Sequence, residues 1–246
     1  IVQLVNDRGS IRVSELSELC QVTEETIRRD LDRLERAGRL RRSHGGAVSV
    51  KETAALHPEI PYAVREITNA DEKKRIALEA IKRISPKDRI LLDASSTAWY
   101  MAADVPDIDL TVLTNSIKVA TELSSKEKIQ VISTGGILAQ RSLSFVGPLA
   151  ERSLDAYHVD KVFLSCKGVH LERGISESNE LQARIKERMI GMADEVVLLA
   201  DSSKFGVQAF THVADLSEVD TVITDKRMPK EMIEQLEGRG IAVVTV

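Results

Sequence analysis

Apolar residues follow two different rhythms along this chain. Over residues 13–36 they recur at intervals of three and four: Val13, Leu16 and Leu19, then Ile27, Leu31 and Leu34. Positions three or four apart share a helix face, so this spacing predicts two short amphipathic helices. The break between them, Cys20-Gln21-Val22-Thr23, allows only a tight corner. Ser14 is placed to cap the first helix and Thr23 the second, each hydroxyl accepting an orphan amide of the first turn. Gly38 reads as a helix C-cap, and Arg39–Val48 then fits a short β-ribbon turning at Gly45-Gly46.

From residue 89 the rhythm changes to short apolar runs: Arg89–Asp93, Leu110–Thr114, Gln130–Thr134, Lys161–Cys166, Glu195–Ala200, Asp220–Thr224 and Ile241–Thr245. Most are of the kind buried on both faces of a parallel sheet. Helical patterns lie between several of them, at Ser116–Leu123, Asn179–Ala193 and Lys230–Arg239. Another helix opens at Asn69, keeps Ile76, Ala77, Ala80, Ile81 and Ile84 on one face, and stops at Pro86. Alternation of this sort predicts an α/β domain on a mostly parallel sheet. Lys51–Thr68 carries Pro58 and Pro61, mixed charge and no apolar periodicity, so it reads as an extended connector. The expected division is therefore residues 1–50, a linker 51–68, and residues 69–246.

Charge sharpens the first part. The formal net charge is −4, which looks wrong for a nucleic-acid binder until the chain is split. Residues 1–50 hold 9 arginines against 8 acids, whereas residues 51–246 hold 25 basic and 30 acidic residues. Basic charge is thus local. At about 100° per residue, Glu25, Arg29 and Arg36 point away from the apolar stripe of the second helix, with Arg28 and Asp32 on one flank and Thr26 and Arg33 on the other. Such a helix, held across a tight turn, has the geometry that enters a DNA major groove. Arginine suits the place because its planar fork bonds guanine O6 and N7 together or clamps a phosphate. Arg41, Arg42 and His44 would reach backbone phosphate from the ribbon. The plain alternative is an amphipathic helix pair with a solvated charged face.

The second part carries its chemistry where the strands end. Asp93-Ala94-Ser95-Ser96-Thr97, Thr114-Asn115-Ser116, Thr134-Gly135-Gly136, Cys166-Lys167-Gly168 and Asp201-Ser202-Ser203-Lys204 each follow a predicted strand. Ligands of open α/β sheets bind outside the carboxyl ends of the strands. Hydroxyls beside helix N-terminal amides favour anions, and lysine neutralises phosphate. One such loop is as well explained by ordinary caps and turns; five converging on one edge point to a small polar or phosphorylated ligand.

Other classes find no support. Apolar runs fall far short of membrane-spanning length, and no secretory pattern opens the chain. Cys20 and Cys166 lie in different predicted domains and imply no disulfide framework. There is no P-loop, no GxGxxG after a strand and no zinc-type spacing of His or Cys. His170, Glu172 and Glu177 read as surface loop residues rather than an acid–base set. A cytoplasmic location is expected, and no cofactor or metal is implied.

The run Thr23, Thr26-Ile27-Arg28-Arg29-Asp30-Leu31 and His44-Gly45-Gly46-Ala47 resembles the winged helix-turn-helix of the DeoR family of bacterial transcriptional regulators. The resemblance continues through Asp93–Thr97, Thr114-Asn115-Ser116, Thr134-Gly135-Gly136, Ser144-Phe145-Val146-Gly147-Pro148, Lys186 and Ala200–Gly206. It implies an effector domain related in fold to ribose-phosphate isomerases that binds phosphorylated sugars. Two positions depart from the family pattern. Ser95 replaces a usual glycine, and Gln182 replaces the glutamate usually four residues before Lys186, leaving that lysine without its neighbour. Ile1–Val5 looks like the end of the family's first helix, so the start is read as truncated.

The resemblance implies a repressor of a carbohydrate operon. Its partners would be double-stranded operator DNA and a phosphorylated sugar, and it would act as a homo-oligomer, dimer or tetramer. Thr23, Glu25, Thr26, Arg28, Arg29, Arg33, Arg36, Arg41, Arg42 and His44 would read the DNA. Asp93, Ser95, Ser96, Thr97, Thr114, Asn115, Thr134, Gly135, Gly136, Lys167, Gly168, Lys186, Asp201, Ser202 and Lys204 would hold the effector. Two readings stand beside it: a sugar-phosphate isomerase with an accessory DNA-binding domain, and a regulator that works through protein partners alone.

Overall fold

The computed structural model describes residues 1–2, 4–5, 10–36, 40–43, 46–49 and 59–246. Two compact units are present, Ile1–Pro58 and Glu59–Val246.

In the first unit, strand β1 (Ser10–Arg12) runs directly into helix α1 (Val13–Cys20), and α2 (Glu24–Arg36) follows. Strands β2 (Leu40–Ser43) and β3 (Gly46–Ser49) form an antiparallel ribbon with Arg42 opposite Ala47, and β1 pairs with the other edge of β3. Val13, Leu16, Ile27, Leu31, Leu40 and Ala47 close a small core. Thr23 is the cap that its position predicts, its Oγ1 accepting the Thr26 amide at 3.4 Å. Gln21 turns the corner in the left-handed region, φ 54°. Two expectations fail here. Helix α1 starts at Val13, so Ser14 sits inside the first turn instead of capping it. Leu19 is exposed, because the stripe runs Val13, Leu16, Cys20. Gly38, His44 and Gly45 lie outside the described residues.

The second unit opens with α3 (Tyr62–Ile67), a helix where the sequence predicts linker. Its sequence has no apolar stripe: Tyr62 is buried while Val64 and Ile67 face solvent. Tertiary bonds hold it instead. The Tyr62 amide donates to the Arg141 carbonyl at 2.7 Å, and the Tyr100 hydroxyl donates to the Glu66 carbonyl at 3.1 Å. Residues 51–58 of the expected connector lie outside the described residues.

The chain then runs α4 (Ala70–Ile81), β4 (Arg89–Leu92), α5 (Ser96–Asp104), β5 (Leu110–Thr114), α6 (Ile117–Leu123) and β6 (Ile129–Ser133). A hairpin of β7 (Ile137–Ala139) and β8 (Ser144–Val146) leads to α7 (Pro148–Leu154) and β9 (Val159–Leu164). Next come β10 (Gly168–His170), β11 (Gly174–Glu177), α8 (Glu180–Ile190), β12 (Ala193–Leu199), β13 (Thr211–Ala214), β14 (Thr221–Thr224), α9 (Lys230–Glu237) and β15 (Ala242–Thr245). The seven predicted runs make one parallel sheet, ordered β15-β14-β12-β9-β4-β5-β6. Strands β10, β11 and β13 form a small antiparallel sheet beside it, too short to leave a periodic signature.

Successive strand residues supply opposite faces, as the pleat requires. Ile90, Leu92, Val112, Phe163, Val197 and Leu199 pack with residues of α4, α5 and α6. Leu91, Leu113, Val162, Leu164 and Leu198 pack with residues of α7, α8 and α9 and the small sheet. Strand order also locates a switch point. From β4 the chain winds to β5 and β6 on one side, returns to β9 beside β4, and winds the other way to β15. A crevice is expected beyond the carboxyl ends of β4 and β9.

Candidate functional site

Helix α2 presents Glu25, Arg28, Arg29 and Arg33 to solvent, with Thr26 half-buried and bonded to Thr23 through the two hydroxyls. Arg28 pairs with Glu24 at 2.6 Å, both about half exposed. Exposed pairs are worth only ~0–1 kcal/mol, so Glu24 holds this arginine weakly. The backbones of Arg36, Arg41 and Arg42 are described within α2 and β2, but not their side chains. His44 falls outside the described residues.

In the second unit a cleft of about 120 Å³ opens at the switch point. The loop after β4 supplies Ser95, Ser96 and Thr97, the loop after β9 supplies Ser165, Cys166 and Lys167, and the loop after β12 supplies Asp201, Ser203 and Lys204. Ser95 caps α5, accepting the Ala98 amide at 3.0 Å, and Ser95, Ser96 and Thr97 bring the N-terminal end of that helix to the cleft wall. Burial holds Lys73 down at about 8, and the neighbouring charge of Lys204 adds to this. Lys167 is lowered for the same two reasons. Burial also raises the Glu59 carboxyl.

Lys186 and Glu177 also line the cleft, and they belong to an ion cluster that gives this lysine neighbours the sequence did not show. The lysine is buried, 2.5 Å from Glu177 and 3.1 Å from Asp93, and it donates to the Ser165 carbonyl. Burial alone would lower its pKa; Glu177, then Asp93, outweigh that and raise it. Gln182, which replaces the family's usual glutamate, donates instead to Ser142 and Ser144 at 2.8 and 2.9 Å. Glu177 is therefore no surface loop residue: it ends β11 and is buried. His170 lies in β10, and Glu172 is exposed as expected. Asp93 also accepts the amides of Ser95 and Ser165, each at 3.0 Å, tying together the loops on either side of the switch.

Several sequence candidates do not line the cleft. Thr114 donates to the Leu92 carbonyl at 2.7 Å, and Asn115 donates to the Phe145 carbonyl at 3.0 Å. Thr134, Gly135 and Gly136 lie beyond β6, away from the cleft wall. Gly168 sits in β10, where a Cβ would fall 2.4 Å from the Val207 carbonyl oxygen. Ser202 is turned to Asp225, its amide donating at 2.7 Å. Conversely, the sequence reading omits Glu59, Arg65, Asn69 and Lys73, all in the wall. One signal was available: Lys73 lies three and four residues before Ile76 and Ala77, on the apolar face of α4. Among the described residues, no group of three or more His, Cys, Asp and Glu side chains could hold a metal ion. Nor is any described helix long and apolar enough to cross a membrane.

A helix-turn-helix unit with an exposed arginine face, in one chain with an α/β unit whose cleft sits at its switch point, defines a sensor-type DNA-binding protein. The DeoR-like helix-turn-helix domain matches residues 1–53, and the DeoR C terminal sensor domain matches residues 68–226. The HTH-type transcriptional regulator YulB of Bacillus subtilis is 57% identical over 246 residues, covering 100% of this chain and 94% of that protein. The L-fucose operon activator of Haemophilus influenzae is 38% identical over 246 residues, 99% of this chain and 97% of its own. The HTH-type transcriptional repressor GlcR of Bacillus subtilis is 34% identical over 245 residues, 99% and 93% respectively. The chain belongs to the DeoR family. It is a DNA-binding transcriptional regulator.

Proposed function

We propose that the cleft receives a phosphorylated sugar and that its occupancy sets how tightly the α2 face holds operator DNA. One observation carries this reading. Lys73, Lys167 and Lys204 converge on the cleft around the first turn of α5, and none has an ion pair among the described residues. Lys73 and Lys167, lowered first by burial and then by the like charge of Lys204, gather with it in one wall without an ion pair of their own among the described residues, which suits an anion. The hydroxyls of Ser96 and Thr97 with the Glu59 carboxyl suit the polar body of a sugar. The protein acts as a cytoplasmic homo-oligomer that places two or more reading helices on operator half-sites. The effector favours an arrangement in which those helices no longer match the spacing, and repression of a carbohydrate operon is lifted. Coupling of ~1–3 kcal/mol is typical, about 5–150-fold in affinity.

The test uses the full chain. Pentose and hexose phosphates and their unphosphorylated counterparts are screened by thermal shift, and hits are titrated into operator binding at fixed salt. At least one phosphorylated sugar should raise the melting temperature and lower operator affinity. Equal shifts from unphosphorylated sugars would remove the phosphate from this reading, and turnover of a hit would favour the isomerase. Arg29→Ala should cost ~1–3 kcal/mol of operator binding; unchanged affinity would displace α2 as the reading helix.

A further inference from the structure

We infer that Arg65 grips the phosphate of the effector, so that the segment between the two family-matched domains forms a working wall of the effector site. The inference rests on the cleft being a phosphate receptor. Arg65 lies on α3, upstream of residues 68–226 and downstream of residues 1–53. Neither matched domain includes it.

The carrying observation is a cation without acceptors. Arg65 lines the cleft, and its Nε and Nη2 are buried with no hydrogen-bond partner. A guanidinium cannot shed its charge to escape such a place. Buried donors of native proteins are nearly always satisfied, and an exception calls for a reason. Here no carboxylate pairs with Arg65 among the described residues. Its contact is with the Tyr62 ring, the guanidinium carbon 5.5 Å from the ring centre. That stack orients the planar fork and leaves its N–H edge unspent.

The position is fixed from the backbone side as well. Lys73 Nζ donates to the Arg65 carbonyl at 2.5 Å, and Ser96 Oγ donates to the same oxygen at 3.2 Å. The Arg65 backbone is thereby tied to the first turn of α5 and to the lysine of α4. An oxyanion placed at that turn would meet the two orphan donors of Arg65, with the charges of Lys73 and Lys204 in the same wall. A planar fork binds carboxylate or phosphate, but several cations and a helix N-terminus gathered at one point favour the more highly charged phosphate.

Inorganic phosphate is the probe, titrated into the full chain and followed by melting temperature and by fluorescence of Trp99, the single tryptophan, which lies on α5. Phosphate and any sugar phosphate found by the screen should bind the native chain. Arg65→Gln should weaken both at least about tenfold and leave binding of the unphosphorylated sugar unchanged. Arg65→Lys, which keeps the charge and loses the fork, should fall between. Should Arg65→Gln fail to fold, Arg65→Lys decides, and native phosphate affinity in that variant overturns the inference. Native phosphate affinity in a folded Arg65→Gln chain does the same while leaving the receptor reading intact. Failure of the native chain to bind phosphate or any sugar phosphate removes both. A merely structural arginine would lower the melting temperature without altering the phosphate-induced shift.

Discussion

The loops after β4 and β12 and the loops after β5 and β6 are written in the same few residue types, yet they meet opposite fates. In the first pair, Ser95, Ser96 and Thr97 after β4, and Asp201, Ser203 and Lys204 after β12, line the cleft. In the other pair, hydroxyl, amide and glycine are spent on structure. Thr114 donates to Leu92 and accepts the Ser116 amide at 3.0 Å, while Thr134 donates to the Gly135 carbonyl at 3.1 Å. Gly136 adopts φ 117°, where a Cβ would lie 2.9 Å from both the Ala150 Cβ and the Val146 carbonyl oxygen. A hydroxyl or glycine after a strand is therefore uninformative until the place of that strand in the sheet is known. Strands β4, β9 and β12 are neighbours at the switch point; β5 and β6 run outward from it.

Changes in the two regions should separate stability from ligand affinity. The largest effect is expected at the ion cluster around Lys186. Lys186→Met strips the counter-charge from buried Asp93 and Glu177 and should cost ~3–5 kcal/mol, read from denaturant unfolding followed at Trp99. A loss below ~1 kcal/mol would mean that the cluster does not hold the two loops together. Gly136→Ala comes next, destabilising by ~1–3 kcal/mol through strain and overpacking, with phosphate affinity unchanged. An altered affinity would bring the loop after β6 back into the site.

Lys204→Ala should do the reverse. Losing one charge-assisted contact should weaken phosphate by about tenfold, whereas the melting temperature should hold or rise as Lys73 is relieved of a like charge. The smallest effect is a pH dependence. Lys73 titrates near 8 in the folded chain, below its ordinary 10.5. The unfolded chain binds more protons between those values, so this lysine makes the ligand-free protein more stable as pH rises from 8 to 10. Phosphate needs the charged form, so its affinity should fall a few-fold, roughly, over the same rise. Parallel changes in melting temperature and affinity would remove Lys73 from the anion site.

Much of this was legible beforehand. The α2 stripe of Ile27 and Leu31 and the Thr23 cap follow from local spacing, and runs buried on both faces must be continuously apolar, so the seven long strands declared themselves. Short pieces held by distant bonds did not. Helix α3 has one buried side chain, Tyr62, and depends on Arg141 and Tyr100. Leu19 was misplaced because one apolar residue at a helix end can belong to either side of a narrow stripe. Lys186 looked unpaired because its partners are nine residues upstream, across a strand-to-helix corner, and at Asp93 on a different strand.

What the sequence determined by itself is local: the two helices and their corner, an arginine face confined to the first fifty residues, and the strand runs of an α/β domain. These depend on spacing and composition within a few turns. Tertiary structure decided which loops became the site. Parallel strands pair through long crossovers, and their order is set by which apolar faces the helices cover, information spread over the whole chain. That order put β9 beside β4, and with it the cleft, the buried cluster around Lys186 and the unanswered guanidinium of Arg65 in one place.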